Sequence, residues 1–138
     1  MASLDRAYGL RGALTALAIA AIAGLVHGVL ASQLTWLGIK ALLLVVSCVA
    51  LVIAGTVSAR RSPAAAWGAA LAMTLVFFLC RWAIWAVMVQ ATPVLASPPW
   101  DWPGLFARHG VSWLWIVELT ATGAAAGLGC YAGHERAA

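Results

Sequence analysis

The sequence predicts an all-α fold: a polytopic membrane protein of four transmembrane helices, with both termini cytoplasmic. Three observations predict it. The 138 residues are 64% hydrophobic and 9% charged, whereas soluble domains carry about a quarter of their residues as charges. The apolar residues fall into runs of roughly 20, the length that crosses a hydrocarbon core of about 30 Å. Finally, the arginines gather at alternate ends of those runs, as the positive-inside rule requires. One domain, residues 1–138, uses the whole length, because four crossings leave no room for a separate soluble unit.

The first helix is expected at about residues 12–31, preceded by Arg6 and Arg11. Val29, Leu30 and Ala31 resemble a signal-peptide cleavage site, but the apolar core is longer than the 7 to 15 residues usual for such a peptide. A retained helix is the better reading. The second helix, about 36–57, follows after only Ser32, Gln33, Leu34 and Thr35. A continuous helix over both runs would be roughly 69 Å long, more than twice the hydrocarbon thickness, so the chain must turn back in a tight hairpin.

Arg60, Arg61, Ser62 and Pro63 then break the pattern. Serine as N-cap with proline in the first turn starts the third helix, about 63–90. Pro93, Pro98, Pro99 and Pro103 make residues 91–111 an outer loop, and the fourth helix is expected at about 112–131.

Arg6, Arg11, Arg60, Arg61 and Arg136 fall on one side of this topology, while Arg108 and a shallow Lys40 fall on the other. The arginine-rich side is cytoplasmic by the positive-inside rule, which suggests a bacterial inner membrane. The net charge of +4 is thereby explained by topology, and nucleic acid is not an expected partner. Cys48, Cys80 and Cys130 are odd in number and widely spaced, so they offer no disulfide framework or CxxC motif. They read as small buried hydrophobes.

Of eight tryptophans, all but Trp67 belong to the outer half or the outer loop. Interfacial aromatics ordinarily populate both membrane faces, so this bias marks the outer side as special. Ala16, Ala20, Gly24, Gly28 and Ser32 form a small-residue stripe on helix one, and Gly123 with Gly127 is a GxxxG on helix four. Such stripes let helices approach closely in lipid, and these two are expected to pack on each other. A seam between copies of the chain or with a partner helix is the alternative use.

One ionisable residue interrupts each apolar run: His27, Lys40, Arg81 and Glu118. A charge at the bilayer centre costs roughly 2.5 to 3.5 kcal/mol on insertion scales, which makes these four the functional question. Counting rise from the outer ends puts His27 and Glu118 ~9 Å deep, Lys40 ~7 Å and Arg81 ~14 Å, all in the outer half. Arg81 is expected to pair with Glu118, since pairing is how a bilayer tolerates either. Trp85 and Trp36 lie one turn from Arg81 and Lys40, at the spacing for cation–π contacts. His27, with an unperturbed pKa near neutrality, suits a proton carrier.

The outer loop alternates prolines, aromatics and single charges. Trp100, Asp101, Trp102, Arg108 and His109 could close over the cluster as a lid. Its plainer reading is a cap lying among the lipid headgroups.

No cofactor is expected. Bis-histidine haem would need His27 and His109, whose depths differ by about a turn and a half. Quinone enters only as a possible ligand of the pocket.

There is no Walker A loop, dinucleotide fingerprint, HExxH or nucleophile elbow, so soluble-type enzyme chemistry has no foothold. The expectation is a small transporter, or the membrane subunit of a transport system, ahead of an enzyme acting on a lipid-linked substrate, which ranks third. Arg81 and Glu118, with His27 and Lys40 near, would line an outer pocket for an anionic or amphipathic ligand. Four helices are few for a complete alternating-access machine, so a homo-oligomer or larger membrane complex is expected. The alternative is an accessory subunit of a respiratory or photosynthetic complex contacting quinone or lipid.

Overall fold

In the computed structural model, residues 2–34, 36–58, 62–88 and 112–137 are described, and those from 9 on in side-chain detail except 112, 113 and 137. They form four α-helices: α1 (Ala2–Gln33), α2 (Leu37–Ser58), α3 (Pro63–Met88) and α4 (Ser112–Ala137). The expected loop 91–111, with Trp100, Asp101, Trp102, Arg108 and His109, lies outside the described residues.

Helix α1 begins ten residues earlier than hydropathy indicates, and α4 runs six residues further. Hydropathy marks where a chain becomes apolar, whereas a helix continues until its hydrogen bonds are broken. Neither extension contains a proline that would stop it. The α1–α2 turn falls where expected: Leu34 N–H closes the last turn of α1 on Leu30 O at 2.9 Å, and Lys40 N–H opens α2 on Trp36 O at 3.2 Å. Ser62 starts α3, its carbonyl accepting from Ala66 N–H at 3.0 Å, as an N-cap residue's carbonyl does.

Segments of α1 (Gly9–Gln33), α2 and α3 are long and apolar enough to cross a membrane. Helix α4 has the length but is less apolar, because it carries Glu118, two threonines and several glycines. Large apolar side chains cover the outside of the molecule, with Ile22 62% exposed and Leu71 71%. The inside is lined instead by small residues such as Ala20, Ala54 and Ala126, around Leu51, Met73 and Phe77. A helix surface that is apolar on its exposed side has lipid as its natural solvent.

Helix α1 packs on α2 and α3, and α4 packs on α2 and α3, so the helices go round in the order α1, α2, α4, α3. This corrects the expected pairing of helix one with helix four, which stand diagonally. The small-residue stripe of α1 is turned to α3. A Cβ on Gly24 would lie 2.5 Å from Phe77 O, and one on Gly28 would lie 2.8 Å from Ile84 Cβ.

The close seam of α4 is also not its Gly123–Gly127 motif. A Cβ there would meet Thr74 or Trp67 only at 3.7 Å, an ordinary contact. The seam lies on Gly129 and Gly133, which meet Gly55 and its neighbours on α2; a Cβ on Gly55 would lie 2.5 Å from the Cys130 nitrogen. A GxxxG spacing identifies a stripe but not the face a bundle of neighbours will use.

Candidate functional site

The four helices bring one polar side chain each to a common point: His27 from α1, Ser47 from α2, Arg81 from α3 and Glu118 from α4. The parallel run of α1 beside α3 sets His27 near Arg81, since Gly24 meets Phe77 and Cys80 while Gly28 meets Arg81 and Ile84. Helix α4 runs antiparallel to α3, with Gly127 by Trp67, Gly123 by Thr74 and Glu118 by Arg81.

Arg81 closes its guanidinium fork on Glu118. Nε donates to Oε2 at 2.9 Å and Nη2 donates to Oε1 at 3.3 Å, the two-pronged geometry that arginine offers a carboxylate. Arg81 is only 7% exposed. The Arg81 Cζ also lies 4.1 Å from the centroid of the Trp115 ring, so the cation has a carboxylate on one side and a π face on another. Trp115 precedes Glu118 by three residues, so both project from one face of α4. Trp85 and Phe78 stand edge-on to Trp115, with ring centroids 5.6 and 5.7 Å away. Trp82 belongs to the same aromatic cluster, and its buried Nε1 has no hydrogen-bond partner among the described residues.

His27 is 1% exposed. Its Nδ1 is 2.8 Å from Ser47 Oγ, its Nε2 is 3.5 Å from Glu118 Oε1, and the Phe77 ring meets it edge-on at 5.5 Å. Glu118 therefore touches a fixed cation through both oxygens and a titratable imidazole through one.

Lys40 stands apart. It is half-buried near the start of α2, two turns or ~10 Å beyond Ser47, and makes no ion pair among the described residues. Sequence reasoning missed Ser47 and Trp115 as members of the cluster. Both left a signal: Ser47 is a lone hydroxyl in the apolar middle of α2, and Trp115 has the three-residue spacing to Glu118. The haem alternative needs His109, which lies outside the described residues.

A second feature lies toward the other end of the same two helices. Ala66, Trp67 and Ala70 of α3 and Gly123, Gly127 and Leu128 of α4 line an apolar groove of about 650 Å³. No family model, curated protein or solved structure matches the chain.

Proposed function

We propose that the chain is a four-span bundle of the bacterial inner membrane, with both termini cytoplasmic, acting as a small transporter or the membrane subunit of a transport system. The observation that carries this is the group formed by buried His27, buried Arg81 and half-buried Glu118, one from each of three helices. Helix α4 serves as the fourth crossing because the polar groups along its middle have partners within the protein. Glu118 is paired, and the Thr120 and Thr122 hydroxyls donate to Ile116 O and Glu118 O of their own helix at 2.8 and 2.6 Å. Hydroxyls satisfied in this way make little demand on water.

The chemistry follows from what occupies Arg81. As long as Glu118 is ionised, it fills the guanidinium fork, and an arriving anion must compete with it. A proton delivered to Glu118, directly or through His27, weakens that hold and leaves Arg81 to bind the anion. Trp82 Nε1, a buried donor without a partner among the described residues, supplies further hydrogen-bonding capacity in the neighbouring aromatic cluster. Proton and anion thus load together, and the loaded site is no more charged than the empty one.

The test uses the full chain in proteoliposomes containing a pH indicator, challenged with a panel of small carboxylates and phosphate esters. Solute-dependent acidification is expected, falling about tenfold or more in Arg81→Leu and Glu118→Gln, because a charge-assisted hydrogen bond contributes about 1.5–3 kcal/mol. Wild-type flux in both variants, or no flux with the folded parent, would sink the reading.

The apolar groove favours a second reading, an accessory subunit of a respiratory or photosynthetic complex. There the groove face would pack on a partner or take a quinone tail. Native mass spectrometry after gentle extraction separates the two: co-extracted larger subunits support the accessory role, and a bare oligomer holding a small ligand supports transport.

A further inference from the structure

Ser47 decides which nitrogen of His27 carries hydrogen. A hydroxyl has one proton, and two groups lie within reach of it. Leu43 O, one turn back at 2.9 Å, can only accept, whereas His27 Nδ1 as N–H can donate instead. Both contacts are hydrogen bonds only when Ser47 Oγ donates to Leu43 O. Toward His27 Nδ1, 2.8 Å away, Ser47 Oγ is therefore the acceptor, and Nδ1 is the donor. The other nitrogen of a neutral imidazole is then a bare lone pair. That nitrogen, Nε2, lies 3.5 Å from Glu118 Oε1, so two acceptors confront each other.

The distances agree with this assignment. A charge-assisted N–H···O bond runs about 2.7–2.9 Å, which the same carboxylate achieves with Arg81 Nε at 2.9 Å. The 3.5 Å separation from His27 is long for such a bond.

We infer that the gap between His27 Nε2 and Glu118 Oε1 is a binding site for a single proton, and that filling it makes the cluster a receptor for one monovalent oxyanion. The charges facing His27 can be taken helix by helix. Helix α2 presents Ser47, which is uncharged, with Lys40 two turns further out; α3 presents Arg81 and the thiol-bearing Cys80, whose Cβ lies against Gly24; α4 presents Glu118.

With neutral His27, the Arg81–Glu118 pair cancels and the cluster carries no net charge. One proton from the aqueous phase, bound by the Nε2 lone pair and shared with Oε1, leaves the cluster net positive. An unbalanced charge in this setting is costly. A monovalent anion restores neutrality, and the planar guanidinium of Arg81 prefers an oxyanion. The oxyanion half rests on the transport reading above; the proton half does not.

The experiment uses full-length chain labelled with 15N-histidine in phospholipid vesicles, with solid-state NMR. His27 is distinguished from the other two histidines by its contact with the Phe77 ring. At high pH the neutral form is expected to carry hydrogen on Nδ1. As pH falls, Nε2 should gain its proton at the same midpoint at which the Glu118 carboxylate changes its infrared band.

A neutral Nε2–H form overturns the proton site, and so do two separate midpoints. Ser47→Ala is expected to give a mixture of tautomers; pure Nδ1–H in that variant removes Ser47 from the argument and overturns the assignment. Nitrate, a planar anion that does not titrate, is then added to unbuffered vesicles, with uptake of one proton per chain expected. No nitrate-linked uptake in protein that shows the Nδ1–H form overturns the oxyanion half while the proton site stands, and the transport reading is judged separately by the flux of carboxylates and phosphate esters.

Discussion

Arg81 of α3 and Glu118 of α4 are joined by two hydrogen bonds, of 2.9 and 3.3 Å, while the face of Trp115 lies 4.1 Å from the same guanidinium. The pair links two helices through residues 37 positions apart in the sequence. A buried pair is weak evidence for stability, because desolvation offsets much of the attraction. Its partners nonetheless depend on each other.

Removing one partner should therefore cost far more than removing both. Glu118→Ala or Arg81→Ala is expected to destabilise the fold by about 3–5 kcal/mol, and Arg81→Leu with Glu118→Leu to recover most of that loss. Thermal unfolding in lipid nanodiscs reads this directly. A double variant as unstable as the sum of the singles would contradict the coupling.

Trp115 is expected to contribute through its π face. Trp115→Leu should cost about 0.5–2 kcal/mol beyond its lost packing, and Trp115→Phe less, because the indole presents the stronger face to a cation. Comparing each change in the parent and in an Arg81→Leu background isolates the cation–π part. Equal losses in both backgrounds would show that the contact contributes nothing.

Two kinds of glycine should behave differently. Gly24→Ala places a methyl 2.5 Å from Phe77 O, and backbone cannot yield as a side chain can; a loss of about 1–3 kcal/mol is expected. Gly127→Ala meets only Trp67 Cζ3 at 3.7 Å and should stay within about 0.5 kcal/mol of the parent. The opposite order in an unfolding series would place α1 elsewhere than against α3.

Orientation is testable by fusion reporters at residues 1 and 138. Both ends are expected on the cytoplasmic side, so that a fluorescent protein lights at each and an alkaline phosphatase stays silent at each. Opposite signals at the two ends would mean an odd number of crossings and remove α4 from the membrane.

His27 shows how far a linear reading reaches into the site. Its depth along helix one is a matter of rise per residue, so its level with Glu118 is legible without a fold. Its hydrogen bond to Ser47 is not, because that depends on how α1 and α2 are rotated about their own axes. Lys40 is the converse case. Depth places it near the others, yet it stands outside the group the four helices assemble.

The sequence by itself determined the apolar spans of the four helices, the reversal between α1 and α2, the start of α3 at Pro63 and the pairing of Arg81 with Glu118. These follow from composition, hydropathy and the cost of a lone charge among apolar residues, which act locally or leave few partners to choose from. Only the tertiary structure decided that α1 packs on α3, that α4 meets α2 through Gly129 and Gly133, and that Trp115 faces Arg81. Helices whose sides are all apolar give lipid and neighbour the same chemistry to meet, so hydrophobicity does not choose the buried face. Shape chooses it, through which small residues let two backbones close to contact, and shape exists only once the helices are side by side.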